Sequence, residues 1–71
     1  MLPKNARETM KVKTGNPELV DKIFEVAVYD SHMETMIGIW IQMSNDKELG
    51  PWVLDEIQYY LLEADYNAYT C

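Results

Sequence analysis

"KIFEVAVYDSHMETMIGIWIQM", residues 22–43, is the stretch on which the fold of this chain depends, because its apolar residues fit two different periods. As a β-hairpin it divides into strands at residues 22–30 and 35–43, joined by the four-residue loop "SHME". This register places Val28 opposite Ile37 and makes one face of the hairpin wholly apolar. The hairpin would therefore cover a core with one face and leave the other face open.

The same stretch also fits two helices, the first of which would cover residues 20–31. Ser31 and Glu34 have the spacing of a capping box at the start of the second helix. The apolar residues that recur at helical spacing are Val20, Ile23, Phe24, Ala27 and Val28 in the first helix and Met33, Met36, Ile37, Trp40 and Ile41 in the second.

Amino-acid composition favours the hairpin over the helix pair. The segment "MIGIWIQM", residues 36–43, contains three isoleucines, a tryptophan and a glycine. It contains none of the strong helix formers Ala, Leu, Glu and Lys. Because β-branched and aromatic residues are enriched in strands, we predict strands over residues 22–30 and 35–43.

On either side of this hairpin we predict a further strand and a helix. Residues 1–8 are polar and are expected to form a flexible arm. Residues 9–14 alternate apolar residues with lysine, which predicts a short strand. From Pro51 the apolar residues recur at three and four residues, which predicts a helix over about residues 51–66.

The predicted architecture is an α+β fold, with a three-stranded antiparallel sheet and the C-terminal helix packed on one face of it. It forms one small domain over residues 9–71. The alternative is an all-α three-helix bundle. The predicted core consists of Phe24, Val26, Val28, Ile37, Ile39, Ile41, Val53, Ile57 and Leu61.

The formal net charge of −6 is distributed unevenly along the 71 residues. Residues 1–22 carry five bases and three acids, whereas residues 23–71 carry one base and nine acids. An acidic surface repels phosphates, so we expect no direct nucleic-acid binding and a protein partner with a basic surface. No apolar run approaches the roughly 18 residues of a membrane span, and the single cysteine fits a reducing compartment. We therefore expect a cytoplasmic protein without membrane contact.

Residues suited to catalysis or metal binding are scarce. His32 is the only histidine, so a site with two histidine ligands is excluded within one chain. Asp30, His32 and Glu34 would lie on one side of the hairpin tip. A solvated turn is the simpler interpretation, because a tip offers no surrounding groups to hold metal ligands in place. We expect no metal, no cofactor and no enzymatic activity.

The predicted C-terminal helix contains the best candidate for a binding site. Glu56, Tyr59, Glu63 and Tyr66 are spaced by three, four and three residues, so they form one stripe, and Asp55 flanks it. Carboxylates bind guanidinium groups bidentately, and tyrosine rings stack on guanidinium groups. The stripe therefore predicts a binding site for a basic surface of a partner protein.

A second candidate interface is the outer face of the predicted sheet. Tyr29, Met36 and Trp40 would share this face, and a sheet covered by a single helix leaves it without an intramolecular partner. The prediction is a homodimer or partner interface, from which Trp40→Glu would yield a soluble monomer.

These observations predict a small, acidic, non-enzymatic binding protein. It would block a basic, nucleic-acid-binding surface of its partner, as an inhibitor or nucleic-acid mimic of the kind that viruses and mobile elements carry. One alternative is a self-associating structural or assembly module that uses the outer sheet face. Another is an accessory subunit of a larger enzyme complex.

Overall fold

Residues 2–70 fold into four helices and contain no strand. This computed structural model describes the backbone of residues 2–70 and the side chains of residues 2–64. The helices are α1 (Ala6–Thr14), α2 (Pro17–Tyr29), α3 (Ser31–Met43) and α4 (Leu49–Thr70). The α+β prediction is therefore wrong. The all-helical alternative has the correct class but one helix too few.

The two predicted strands at residues 22–30 and 35–43 lie within helices α2 and α3. Helical period, and not β propensity, decides this segment: Ile23 and Val26 of α2 and Met33, Ile37 and Trp40 of α3 are all at most 4% exposed. Burying one such side chain stabilises by about 1.5–3 kcal/mol, whereas helix propensities differ by less than about 0.7 kcal/mol per residue. Packing therefore outweighs the β-branched composition.

Asp30 separates α2 from α3 and is the last residue of the first predicted strand. Its extended backbone (φ −126°, ψ 104°) ends one helix, and its side-chain Oδ1 accepts hydrogen bonds from the N–H groups of His32 (2.9 Å) and Met33 (3.1 Å) at the start of the next. The cap of α3 is thus Asp30 instead of the predicted Ser31. Asp30 alone forms the turn between the two helices.

Helix α1 occupies the segment predicted as a strand and part of the predicted arm. It begins at Ala6, which is buried, and it is capped at its C-terminus by Gly15, whose φ of 66° is left-handed and whose N–H donates to the Lys11 carbonyl at 2.9 Å. Asp21 of α2 holds α1 in place by accepting a hydrogen bond from Arg7 (2.6 Å) and pairing with Lys11 (3.3 Å). The N-terminal segment is therefore tied to the helical body.

Asp46 and Gly50 shape the connection between α3 and α4. The Asp46 carboxylate accepts hydrogen bonds from the N–H groups of Glu48 and Leu49, both at 2.8 Å. Gly50 is buried, and a Cβ at this position would lie 3.0 Å from the Met43 carbonyl oxygen. The start of α4 therefore passes close to the end of α3. Helix α4 contains the whole helix predicted at residues 51–66.

The core lies mainly between α2, α3 and α4. Its buried residues are Met10, Val20, Ile23, Val26, Met33, Ile37, Trp40, Val53, Ile57 and Leu61. Five predicted core residues are among them: Val26, Ile37, Val53, Ile57 and Leu61. The prediction is wrong for Val28 and Ile39, which are 86% and 44% exposed. Residues two apart share a face in a strand but lie on nearly opposite sides of a helix, so Val28 and Ile39 point away from the core that buries Val26 and Ile37. Phe24 and Ile41 are half-buried against the core.

Across the described residues, no helix has both the length and the apolar character that crossing a membrane requires.

Candidate protein-binding site

The outward side of α4 carries large apolar side chains next to carboxylates. Trp52, Tyr59 and Leu62 are 61%, 64% and 68% exposed, and Leu49 is 45% exposed. The carboxylates between them are exposed as well. We call this surface the acidic–aromatic face; it consists of Leu49, Trp52, Asp55, Glu56, Tyr59, Leu62 and Glu63.

The helical repeat explains why these residues share one side. At about 100° per residue, all seven fall within an arc of about 140°. Val53, Ile57 and Leu61 lie on the opposite side of α4 and are buried in the core. Helix α4 therefore fixes the face rigidly, because its other side is held by packing.

Most of the predicted stripe is part of this face. Asp55, Glu56, Tyr59 and Glu63 are exposed together on α4. The side chain of Tyr66 lies outside the described residues. Leu49, Trp52 and Leu62 were not among the predicted site residues. The signal for the first two was present, since the three–four spacing of the stripe extends backwards from Glu56 to Trp52 and then to Leu49.

The electrostatic character of the face follows from where the bases lie. Helix α4 carries four acids and no lysine or arginine. Arg7 and Lys11 hydrogen-bond to Asp21, and these contacts lower the pKa of the Asp21 carboxyl. Lys13 donates to the side chain of Asn45 at 2.9 Å. Within the described part of the chain, Asp55 and Glu56 have no cation paired with them.

The residues of the second predicted interface lie in different environments. Trp40 is 4% exposed and belongs to the core, whereas Tyr29 is 75% exposed and Met36 is half-buried against the core. The prediction that the three share an open face depended on the hairpin, which is absent from residues 2–70. Residues 2–70 therefore form no outer sheet face.

Two cavities lined by described residues are small and shallow. One, of about 150 Å³, lies where α1 and α3 end and α4 begins, and it is lined in part by Thr14, Trp40 and Pro51. Another, of about 280 Å³, lies along α1 beside Val12. Small-molecule sites usually have volumes of about 300–1,000 Å³. Among residues with described side chains, no group of three or more His, Cys, Asp or Glu is arranged to hold a metal ion.

Comparisons with protein-family models, curated proteins and solved structures give no significant match.

A polar cluster joins α4 to the turn between α2 and α3. The Tyr60 hydroxyl donates to Asp30 Oδ2 at 2.6 Å, while Asp30 Oδ1 caps α3. The His32 ring contacts the Tyr60 ring edge-on, with centroids 4.7 Å apart and planes at 65°. Among the residues with described side chains, Asp30, His32 and Glu34 do not form a group arranged to hold a metal ion. Asp30 instead accepts hydrogen bonds from three donors.

The hydrogen bonds of this cluster alter the acidity of both partners. The bond from Tyr60 and the backbone N–H groups of Met33 and His32 hold the pKa of the Asp30 carboxyl below its ordinary value of 3.8. The Asp30 carboxylate raises the pKa of the Tyr60 hydroxyl above 10.0. At neutral pH the pair is therefore an anion and a neutral donor. It fastens α4 to the turn between α2 and α3.

Proposed function

We propose that this chain is a non-enzymatic docking module that binds a basic surface of a partner protein through its acidic–aromatic face, as an accessory component of a larger assembly. The observation that carries the proposal is the combination on α4 of three apolar side chains more than 60% exposed with three carboxylates and no base. A face made only for solubility would mix the signs of charge and expose few large rings.

The chemistry of the face suits arginine and lysine. Asp55, Glu56 and Glu63 would accept charge-assisted hydrogen bonds, which are stronger than those between neutral groups. The rings of Trp52 and Tyr59 would stack on guanidinium groups and bury apolar area. Trp, Tyr and Arg are the residues that contribute most at protein interfaces. Attraction between opposite charges would also accelerate association, and salt would weaken it.

The density of charge on α4 favours a protein partner over nucleic-acid mimicry. Four acids are spread over the 22 residues of α4, which is about one carboxylate per 8 Å at a rise of about 1.5 Å per residue. Duplex DNA carries one charge per about 1.7 Å. A partner surface that recognises the spacing of DNA phosphates would bind this helix poorly. A partner surface with a few arginines around an apolar patch would be complementary to it.

Charge reversal with a matched control tests the proposal. The face variant is Asp55→Lys, Glu56→Lys and Glu63→Lys. The control is Glu8→Lys, Glu18→Lys and Glu25→Lys, which reverses three exposed acids on α1 and α2 and changes the net charge equally. The wild type and the control should capture the same proteins from a lysate, and the face variant should capture at least tenfold less of them. Capture by the wild type and the control should also fall at high salt. Equal losses from both variants would show that net charge alone attracts them and would contradict the proposal.

The aromatic part of the face has its own control. Tyr59→Ala should weaken capture of the same proteins with little dependence on salt, because area and stacking are lost while charge is unchanged. Tyr29→Ala removes a similarly exposed ring on α2 and should leave capture unchanged. Equal effects of the two substitutions would place the contact outside α4.

A further inference from the structure

The exposed residues of α4 follow the seven-residue repeat of a helix–helix seam. Leu49, Trp52, Glu56, Tyr59 and Glu63 are separated by three, four, three and four residues. This alternation is the a/d spacing that packs one helix along another. Leu49, Glu56 and Glu63 occupy the first position of each repeat, and the aromatic rings of Trp52 and Tyr59 occupy the second.

A second copy of α4 does not fit this seam. Two-fold pairing of the same face brings carboxylates towards carboxylates, and no residue of α4 supplies a compensating base. Like charges that meet across an interface cost affinity. The seam therefore requires an occupant of opposite charge.

The shape of the seam favours a helix as that occupant. The backbone N–H and C=O groups of a helix bond within it, so α4 offers a partner its side chains and no edge for strand addition. The seam runs about 21 Å from Leu49 to Glu63 and repeats about every 10.5 Å. A second helix has the same repeat, whereas the two-residue repeat of a strand, about 6.8 Å, falls out of step within one heptad.

We infer that the acidic–aromatic face binds a basic amphipathic helix of the partner protein, packed along α4 at a shallow crossing angle. The inference rests on the proposed function and adds the form of the partner. Arginines or lysines seven residues apart on that helix would face Glu56 and Glu63. Apolar residues between them would cover the rings of Trp52 and Tyr59.

Two synthetic peptides of identical composition test the inference. The first has leucine and arginine at alternating a and d positions over three heptads; the second is scrambled so that no helical face remains. Each is titrated against the wild type, the face variant and the control variant. Affinity is measured by calorimetry, and peptide helicity by circular dichroism. Trp52 supplies an independent signal, because its emission should shift to the blue when a helix covers it, whereas Trp40 is already buried.

The heptad peptide should bind the wild type and the control at least tenfold more tightly than the scrambled peptide does. It should gain helicity on binding and lose at least tenfold affinity for the face variant. Equal binding of both peptides, lost in the face variant, would overturn the helical partner and leave the basic docking function intact. Equal binding of the heptad peptide to the wild type and the face variant would overturn both.

Two other results would also reject the helical partner. One is a dissociation constant above about 1 mM for the heptad peptide, which is weak for specific recognition. The other is a dimer: light scattering would show twice the 8.3 kDa chain mass for the wild type and the monomer mass for the face variant. That result would assign the seam to a second copy of this chain.

Discussion

Asp30 connects three helices through its backbone and its side chain. Its backbone ends α2, its Oδ1 caps α3, and its Oδ2 accepts the hydroxyl of Tyr60 on α4. The hydrogen bonds to Oδ1 and Oδ2 are stronger when the carboxylate is ionised, because an anionic acceptor strengthens a hydrogen bond. The stability that they contribute is therefore tied to the charge of Asp30 and to the proton of Tyr60.

The cluster predicts losses of stability at both ends of the pH scale. Folding lowers the pKa of Asp30. Its contribution to the free energy of unfolding is therefore fully present above the ordinary pKa of 3.8 and is lost as pH falls through the lower pKa of the folded state. Since folding raises the pKa of Tyr60, its contribution is present below 10.0 and is lost as pH rises through the folded value. Melting temperatures across the pH range should fall in both regions.

Tyr60→Phe isolates this contact. It should raise the pKa of Asp30 towards 3.8, since the bond from Tyr60 is the largest cause of its lowering. A carbon-13 titration of the side-chain carboxyls measures this directly. Asp46 is the internal control: its pKa is lowered by the N–H groups of Leu49 and Glu48, which the substitution leaves in place. An unchanged Asp30 titration would show that Tyr60 does not bind it in solution.

At the scale of the elements, two helical glycines differ in what surrounds them. A Cβ at Gly38 of α3 would meet the Leu2 side chain at 3.8 Å, which is an ordinary contact. A Cβ at Gly50 of α4 would lie 3.0 Å from the Met43 carbonyl oxygen, and a backbone atom yields less readily than a side chain. The approach of α4 to α3 therefore depends on Gly50 and not on Gly38.

The two substitutions to alanine should have opposite signs. Gly38→Ala should raise the free energy of unfolding by about 0.5–1 kcal/mol, because alanine loses less backbone entropy in a helix. Gly50→Ala should lower it by about 1–3 kcal/mol, because the added methyl group overpacks the contact. Urea denaturation of both variants measures this. Stabilisation by both would mean that the connection between α3 and α4 relaxes without cost.

At the scale of the whole molecule, the two tryptophans have opposite roles. Trp40 of α3 is 4% exposed in the core, whereas Trp52 of α4 is 61% exposed on the acidic–aromatic face. On sequence alone Trp40 was predicted to lie at an interface, and Trp40→Glu was predicted to yield a soluble monomer. The structure assigns Trp40 to the core, since the helical period of α3 places it with Met33 and Ile37.

Trp40→Glu should therefore unfold the chain. Loss of the ring alone costs about 3–5 kcal/mol, and an unpaired carboxylate in the core adds to that cost. A chain of this length is stable by about 4–11 kcal/mol in total. Trp52→Glu should change stability by no more than about 0.5 kcal/mol, as surface substitutions do. Circular dichroism and thermal melting distinguish the two. A folded Trp40→Glu variant would contradict the helical core.

Several local features were predictable from the sequence because they depend on residues within a turn or two of one another. The helix after Pro51, the stripe of Asp55, Glu56, Tyr59 and Glu63, and the absence of bases beside it all follow from spacing and composition. The Asn16 cap is equally local: its side chain accepts the N–H of Leu19 at 3.2 Å, ahead of a helix that begins at Pro17. Neither the stripe nor the cap required knowledge of the rest of the chain.

Only the tertiary structure decided between strands and helices for residues 22–43. Ile37, Ile39 and Ile41 satisfy a two-residue period, while Met33, Ile37 and Trp40 satisfy a helical one. The choice depends on which apolar partners stand opposite, and those partners come from α2 and α4. The same holds for Asp30, whose donor Tyr60 lies thirty residues further along the chain. Burial is a property of the packed chain as a whole, so its free energy can overrule the local preference of any one segment.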